Sequence, residues 1–313
     1  MNVLELLKSL FLGLVEGLTE WLPISSTGHM ILVDEFIKLN VSTEFLELFL
    51  VVIQIGAIVA VIILYFTKLN PFSRKKTPEQ RSSTWRLWGM VVVGCLPAAA
   101  VGLTLDDWVH EHFYNAFVVA AMLIVYGVIF ILLERRNKHR YNQYVHDSYR
   151  EGAEPIALLE DGRPDPDAMF AIRTVDDIDW RAALKIGLFQ CLAIIPGTSR
   201  SGATIIGGML TGCSRTAAAE YTFFLAIPIM FGWGIVKVVK FFVSAGAAMS
   251  STELGVLVGG VLTAFVVSVL SIKFLMGYIK NNDFAPFGVY RIVVGVLVIA
   301  YFSVKMLGLL PVA

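Results

Sequence analysis

An arginine surrounded by hydroxyl side chains lies in a strongly apolar region of the chain, in the stretch "PGTSRSGAT" (196–204). A guanidinium in hydrocarbon costs about 2.5–3.5 kcal/mol, so Arg200 is expected to face a polar cavity or a partner. Its planar fork of donors suits phosphate, and nearby glycines permit close backbone approach. The run therefore indicates an oxyanion-binding site around Arg200, formed by Gly197, Thr198, Ser199, Ser201 and Thr204.

The same stretch predicts the start of a helix. Ser199 or Ser201 is expected to cap a helix that begins near Gly202, whose free N–H groups and dipole favour an anion. A simpler interpretation is that Arg200 only pairs with Glu16 or Glu20 and holds two parts of the chain together. Such a pair is compatible with the anion site, so both interpretations stay open.

A second polar run, "EGLTEWLPISSTGH" (16–29), interrupts the N-terminal apolar region. Glu16 and Glu20 are four residues apart and share one face of a helix. Two carboxylates in an apolar segment repel each other unless a cation or a proton lies between them. They are therefore candidate ligands for a divalent cation, Mg²⁺ or Ca²⁺, or a candidate acid or base. The alternative is a water-facing stripe on an amphipathic helix.

The end of this run combines hydroxyls with an imidazole. If a helix starts at Ser25 or Ser26, Ser26 and His29 stand on one face, as a nucleophile–base pair or a phosphate-binding pair. A membrane histidine can also be only an interhelical donor. Ser25 and Thr27 add hydroxyls for substrate binding, and Gln54 is a candidate member of the same cavity or an interhelical hydrogen-bonding residue.

Composition places these motifs in a membrane protein. The chain has 313 residues, 57% of them hydrophobic and only 16% charged, whereas soluble proteins carry about 25% charged residues. The formal net charge of zero argues against a nucleic-acid partner. The three cysteines show no metal or disulfide spacing and are interpreted as small buried apolar residues.

The apolar segments predict an all-α integral membrane protein with about six full transmembrane helices and two re-entrant helical hairpins. Four other apolar pieces, in two pairs, are too short or too polar to cross alone, and each pair is broken by one of the polar motifs. Irregular backbone at membrane depth must be buried in protein or line a cavity. The predicted spans are 45–66, 85–105, 116–133, 217–243, 254–279 and 289–309, and the short pieces are 3–22, 28–39, 183–195 and 203–213.

The two halves of the chain resemble each other. Residues 7–29 and 184–202 share a Leu-Lys start, a glycine, an acid or amide, and a proline followed three residues later by serine. Each is followed by an apolar span with a polar or proline break, at Gln54 and Pro228. Matched breaks favour an inverted-topology repeat. The predicted units are a first half 1–133, a cytoplasmic polar insertion 134–181, without a helical period, and a second half 182–313.

Loop charge predicts the orientation. Loop 67–86 carries six Lys or Arg and should be cytoplasmic, loop 105–115 is acidic and should lie outside, and segment 134–181 returns to the cytoplasm. The hairpins then enter from opposite sides, and their tips meet near the bilayer midplane. The remaining histidines are expected in loops, without a functional role: His110, His112, His139 and His146.

Both motifs closely resemble the signature motifs of the undecaprenyl-diphosphate phosphatase family, the bacitracin-resistance proteins of bacteria, and the resemblance covers nearly the whole chain. It implies hydrolysis of undecaprenyl diphosphate to the monophosphate, which recycles the lipid carrier for cell-wall synthesis. Only the insertion 134–181 is longer than expected. By motif position, the resemblance implies the functional residues Glu16, Glu20, Ser26, His29, Ser199 and Arg200, supported by Thr27, Ser201 and Thr204.

The resemblance also implies a multi-pass protein of the bacterial plasma membrane, with an active site open to the periplasmic or outer side, in agreement with loop charge. The expected partners are a polyprenyl diphosphate substrate and membrane lipids, with a homodimer as one expected assembly. In the expected mechanism Ser26 attacks the terminal phosphorus or positions a water. His29 or a glutamate takes the proton, and Glu16 and Glu20 hold Mg²⁺ or Ca²⁺.

A different class of function remains open. Inverted repeats whose broken helices meet at the midplane are typical of transporters. The alternative is therefore a flippase for a polyprenyl phosphate lipid, in which Glu16, Glu20 and His29 form a proton relay.

Overall fold

The computed structural model describes residues 3–149, 157–159, 162–245 and 249–308. In this part the regular structure is helical, without a β-strand, and short 3₁₀ helices occur at Pro166–Met169, Val175–Asp177 and Leu192–Ile194. The α-helices are α1 (Val3–Thr19), α2 (Ser26–Phe36), α3 (Thr43–Leu64), α4 (Phe66–Leu69), α5 (Pro78–Phe113), α6 (Ala116–Ser148), α7 (Trp180–Cys191), α8 (Arg200–Thr211), α9 (Arg215–Ala245), α10 (Ser251–Ile279) and α11 (Ala285–Met306).

Six helices are long and apolar enough to cross a membrane, namely α3, α5, α6, α9, α10 and α11. They coincide with the six predicted spans, so the prediction of an all-α integral membrane protein is confirmed. A crossing needs roughly 20 residues, and these helices have at least 22. Long apolar runs form helices in a membrane because a helix satisfies every backbone hydrogen bond within its own segment.

The predicted loop 105–115 is largely helical and the predicted insertion 134–181 begins as a helix, so this part of the prediction was wrong. Helix α5 continues to Phe113, and helix α6 continues through Ser148. A helix that leaves the bilayer can carry polar side chains on all faces, so its outer end loses the apolar period. The four histidines expected in loops therefore lie on helices: His110 and His112 on α5, and His139 and His146 on α6.

The predicted breaks in the spans that follow the hairpins are also absent. Helix α3 runs without interruption through Gln54, and α9 runs through Pro228. An amide side chain leaves the backbone ladder intact. A proline removes one N–H donor, which membrane helices tolerate when neighbouring groups satisfy the freed backbone.

The two short helix pairs form the expected hairpins, α1–α2 and α7–α8. Their helices have 17, 11, 12 and 12 residues, which gives lengths of about 17–26 Å at 1.5 Å per residue. Each helix is shorter than the ~30 Å hydrocarbon core, so none of the four is long enough to span it upright.

Both hairpins turn into their second helix through the same local structure. Ser25 caps α2 with φ 75° and accepts the Gly28 N–H, and Ser199 caps α8 with φ 72° and accepts the Gly202 N–H. The cap of α8 is therefore Ser199 rather than Ser201, and the helix begins earlier than predicted, at Arg200. Ser25 is the counterpart of Ser199, so the predicted alignment of the motifs was one residue out of register.

Glycines at matching positions bring helices from different halves into backbone contact. A Cβ atom on Gly13 of α1 would lie 2.4 Å from the Gly260 carbonyl oxygen of α10, and one on Gly187 of α7 would lie 2.3 Å from the Gly94 oxygen of α5. Gly13 and Gly187 stand at the same distance before Ser25 and Ser199. Helix α1 of the first half thus packs against α10 of the second half, and α7 of the second half packs against α5 of the first half, as expected for a repeat. The inversion of this repeat across the membrane stays a prediction.

The segment 134–181 is only partly a separate insertion. Glu134 is buried, and its carboxylate accepts hydrogen bonds from Arg215 at 2.9 and 2.5 Å and from the Phe284 N–H at 3.0 Å. Further on, the Ile172 N–H donates to the Gly212 oxygen, and the Ser214 N–H donates to the Ile172 oxygen. The described part of 162–179 therefore packs against the turn between α8 and α9, while 150–156 and 160–161 lie outside the described residues.

Candidate active site

The tips of the two hairpins meet at an ion pair. Arg200, the first residue of α8, donates from Nη2 to Glu20 Oε1 at 2.9 Å, and from Nη1 to the Thr222 carbonyl oxygen at 3.0 Å. Its guanidinium also lies 5.8 Å from the ring centroid of Trp21. Glu20 is the partner, so the expected contact between the two motifs is present.

Glu20 also receives the hydroxyl of the first motif. Ser26, the first residue of α2, donates from Oγ to Glu20 Oε2 at 2.7 Å. This distance is in the range required for a carboxylate to remove a proton from a hydroxyl nucleophile. Ser26 and Arg200 occupy the same position after their capping serines, and one carboxylate holds both of them.

The imidazole of His29 does not bond to the Ser26 hydroxyl. Its Nδ1 lies 2.7 Å from the Ser25 carbonyl oxygen, and its Nε2 lies 2.7 Å from the Tyr290 hydroxyl. Both ring nitrogens are thus engaged away from the Ser26 hydroxyl. The expected Ser26–His29 pair does not form in this structure, although both residues lie in the first turn of α2.

The carboxylates provide a limited set of metal ligands. Among the described residues, no group of three His, Cys, Asp or Glu side chains is placed to hold a metal ion. Glu20 uses one oxygen for Arg200 and the other for Ser26, whereas Glu16 is buried and its Oε1 has no hydrogen-bond partner in the described protein. Mg²⁺ is often held by one or two carboxylates together with substrate phosphates and water. The pair suits such a site only when an incoming ion replaces one of the two Glu20 contacts, because both oxygens of Glu20 are engaged and Glu16 does not line the cavity described below.

A cavity of about 590 Å³ opens beside this cluster. Its apolar wall comes from α5 and α9, for example Val101 and Met230, and Asp106 lies at the same wall. The site therefore joins a polar end to an apolar flank. Its polar lining combines predicted residues with Gln190: Glu20, Ser26, Thr27, Gln54, Gln190, Gly197, Ser199 and Arg200.

Four predicted substrate-binding residues do not line the cavity: Ser25, Thr198, Ser201 and Thr204 are fully or almost fully buried. Ser201 Oγ donates to the Glu20 carbonyl oxygen at 3.1 Å, and Thr204 Oγ1 donates to the Arg200 carbonyl oxygen at 2.9 Å. Ser25 caps α2, and Thr198 Oγ1 has no partner in the described protein. These hydroxyls mainly hold the turns that present Glu20, Ser26 and Arg200.

A buried arginine that the sequence analysis missed joins the two turns. Arg291 of α11 is 0% exposed. It donates from Nη1 to the Pro23 carbonyl oxygen at 3.0 Å, and from Nη2 to the carbonyl oxygens of Gly197 and Thr198 at 2.8 and 2.9 Å. The signal was available, because Arg291 lies inside the predicted span 289–309, and the cost argument that singled out Arg200 applies equally to it.

Fold and site together define a polytopic membrane protein in which two hairpins close one end of an apolar chamber with a carboxylate, a hydroxyl and an arginine. A family model described as "Bacitracin resistance protein BacA" matches residues 9–297, and the chain belongs to this family.

Curated relatives are similar over nearly their whole length. The undecaprenyl-diphosphatase of Acetivibrio thermocellus is 51% identical over 300 residues, covering 96% of this chain and 98% of the relative. The undecaprenyl-diphosphatase of Enterococcus faecalis is 50% identical, covering 95% of this chain and 97% of the relative. That of Streptococcus thermophilus is 48% identical, covering 97% and 96%.

We expect Arg291→Leu to lower stability and activity together, because it leaves three turn carbonyls without their charged donor. Hydrogen bonds to charged groups contribute about 1.5–3 kcal/mol each, so the free energy of unfolding should fall by about 3 kcal/mol or more. The midpoint of thermal unfolding in detergent measures this loss. Arg136→Leu, at an exposed position on α6, is the control and should leave the midpoint nearly unchanged. An unchanged midpoint in Arg291→Leu would contradict a clamping role.

Proposed function

We propose that the protein is a membrane phosphatase that hydrolyses undecaprenyl diphosphate to undecaprenyl phosphate and inorganic phosphate. This activity recycles the lipid carrier for cell-wall synthesis and confers resistance to bacitracin. Membership of the BacA family and near 50% identity to proteins named undecaprenyl-diphosphatase support the assignment. The observation that carries it is the double hydrogen bond of Glu20, to Ser26 and to Arg200, at the polar end of an apolar cavity.

The cavity has a polar end and apolar walls, which matches an amphiphilic substrate. Arg200 lies at the polar end and supplies a planar cationic donor set for the diphosphate. The walls from α5 and α9 are apolar, as an isoprenoid tail requires. Cavities of about 300–1,000 Å³ hold drug-sized ligands, and a polyprenyl tail is much longer. The head group therefore binds at Arg200, and the tail leaves between α5 and α9 into the lipid.

Ser26 is the nucleophile in this proposal. Its Oγ attacks the terminal phosphorus while Glu20 Oε2 accepts the hydroxyl proton, and undecaprenyl phosphate departs as the bridging P–O bond breaks. Glu20 passes this proton to the departing undecaprenyl phosphate and is ionised again. It then takes a proton from the water that attacks the phosphoserine and returns it to Ser26 Oγ as inorganic phosphate leaves. Arg200 neutralises charge on the transferring phosphoryl group, which is the main requirement of this chemistry.

Glu16 and Glu20 are the proposed ligands of a divalent cation, Mg²⁺ rather than Ca²⁺, because Mg²⁺ is commonly bound by only one or two carboxylates, with water and substrate phosphates completing its six ligands. Such an ion, when bound with the substrate, neutralises the negative charge of the diphosphate. The unpartnered Oε1 of Glu16 supports this assignment. Removing the ion with a chelator should slow phosphate release and leave the thermal stability of the substrate-free protein unchanged.

The active site is proposed to open to the outer side of the bacterial plasma membrane. The part of α5 that lines the cavity lies toward the C-terminal end of this helix and comprises Ala98, Ala99, Val101, Gly102, Leu103 and Asp106. This end leads to the acidic segment 105–115 that loop charge predicts to be outside, whereas α5 begins at the basic segment 67–86. The cavity therefore lies in the outer half of the membrane in this orientation.

A lipid flippase is the second candidate. It is favoured by the reciprocal packing of the two halves of the chain, α1 against α10 and α7 against α5. Phosphate release by purified protein in detergent, where no membrane gradient exists, requires an enzyme. A transporter without hydrolytic activity would release none.

We expect Ser26→Ala to reduce phosphate release from undecaprenyl diphosphate in detergent by about 10³-fold or more, because it removes the nucleophile. With substrate labelled in the terminal phosphate, an acid quench should trap labelled wild-type protein and no labelled Ser26→Ala. Ser251→Ala is a control, because Ser251, like Ser26, is the first residue of a helix after a capping serine, and it is exposed and far from the site in sequence. Substantial hydrolysis in Ser26→Ala would contradict the covalent step.

We expect Asp106→Cys to react in intact cells with a membrane-impermeant maleimide, because Asp106 lines a cavity that opens outward. Lys75→Cys, in the basic segment, should react only after the membrane is permeabilised. Both are made in a background without the native cysteines, Cys95, Cys191 and Cys213. The reverse labelling pattern would place the site on the cytoplasmic side.

A further inference from the structure

A chain of hydrogen bonds runs from α11 to the start of α2. The Ser25 carbonyl oxygen can only accept, so His29 Nδ1, at 2.7 Å from it, carries the proton. In the neutral ring Nε2 is then an acceptor, and the Tyr290 hydroxyl donates to it at 2.7 Å. The two rings are nearly parallel, with an interplanar angle of 2°. His29 is thus held at both nitrogens, in one tautomer and one orientation.

The carbonyl that His29 holds belongs to the peptide plane that leads into Ser26. Ser25 has φ 75° and ψ 94°, a conformation that L-residues adopt at a cost of roughly 1–3 kcal/mol. Its carbonyl oxygen accepts both His29 Nδ1 and the His29 N–H. Because a peptide unit is planar, fixing this carbonyl also fixes the N–H and the Cα of Ser26, from which the side chain reaches Glu20.

The second hairpin lacks this clamp and has another means of support. Ala203 stands at the position equivalent to His29, and its N–H bonds to the Ser199 carbonyl oxygen without any side-chain donor. Helix α8 is buried over residues 201–209, so packing holds it in place. In α2, by contrast, every described side chain is half-buried or exposed. The loosely packed helix is the one with the side-chain clamp.

We propose that Tyr290 is a positioning residue for the phosphatase reaction, acting through His29 on the Ser25 carbonyl and thereby on Ser26. The inference rests on the proposed role of Ser26. It assigns His29 the task of holding the nucleophile in line with Glu20, and Glu20 remains the base. Tyr290 lies on α11, 261 residues from His29 in the chain, so the pairing is a tertiary feature.

Tyr290→Phe removes one hydroxyl and leaves both rings in place. We expect kcat to fall about tenfold, since one hydrogen bond of about 1.4 kcal/mol positions the nucleophile, with KM unchanged within about twofold. Tyr301→Phe, on the same helix but packed against Phe36, is the control and should retain full activity. The thermal midpoint of each variant shows that the change in kcat does not come from unfolding.

Substitutions at His29 separate positioning from base catalysis. His29→Asn keeps an N–H donor near the Nδ1 position and should retain more activity than His29→Ala. In the His29→Asn background, Tyr290→Phe should cause no further loss, because the hydroxyl has lost its acceptor. Full activity in Tyr290→Phe, equal inactivity of the two His29 variants, or losses that multiply would each overturn the proposal. The proposed role of Ser26 as nucleophile is tested separately, because substantial hydrolysis by Ser26→Ala would contradict that role without bearing on Tyr290.

Discussion

The site depends on one carboxylate, Glu20, that connects the tips of two helical hairpins. Glu20 accepts Arg200 on one oxygen and Ser26 on the other, and the ion pair is largely withdrawn from water, with side chains 12% and 9% exposed. Removing such charges from water costs several kcal/mol per ion, which good geometry and further hydrogen bonds must offset. The second donor of Arg200 binds the Thr222 carbonyl oxygen, which supplies one of these bonds. Displacing either hairpin would leave a buried charge unpaired.

The surrounding backbone is arranged to keep the hairpin tips together. Arg291 reaches carbonyl oxygens in both turns, so one buried guanidinium acts on two segments that lie far apart in sequence. Gly13 and Gly187 let the first helix of each hairpin touch a long helix of the other half. The two hairpins differ in what they present: the first supplies the carboxylates of Glu16 and Glu20 and the hydroxyl of Ser26, and the second supplies the guanidinium of Arg200. This division suits a reaction in which a nucleophile must approach a diphosphate that is already neutralised.

Hydropathy and polar interruptions predicted the six spans, both hairpins and a pairing of Arg200 with Glu16 or Glu20, since burying a charge in lipid leaves few alternatives. The polar end of α6 was missed, because a helix in water needs no apolar period. The direction of His29 depends on Tyr290, a contact that local spacing does not encode. The correspondence of Ser25 with Ser199 was missed because Pro23 and Pro196 lie at different distances before their capping serines. The roles of individual site residues stay predictions.

The central claim is that Glu20 and Arg200 act as one unit across the hairpin interface. A double-mutant cycle tests it most directly, with phosphate release measured for Glu20→Gln, Arg200→Gln and the double variant in detergent. Each single substitution is expected to lower kcat/KM by about 100-fold or more, and the kcat/KM of the double variant is expected to lie no more than severalfold below that of the less active single variant. Losses that multiply, or near-normal turnover in either single variant, would contradict it.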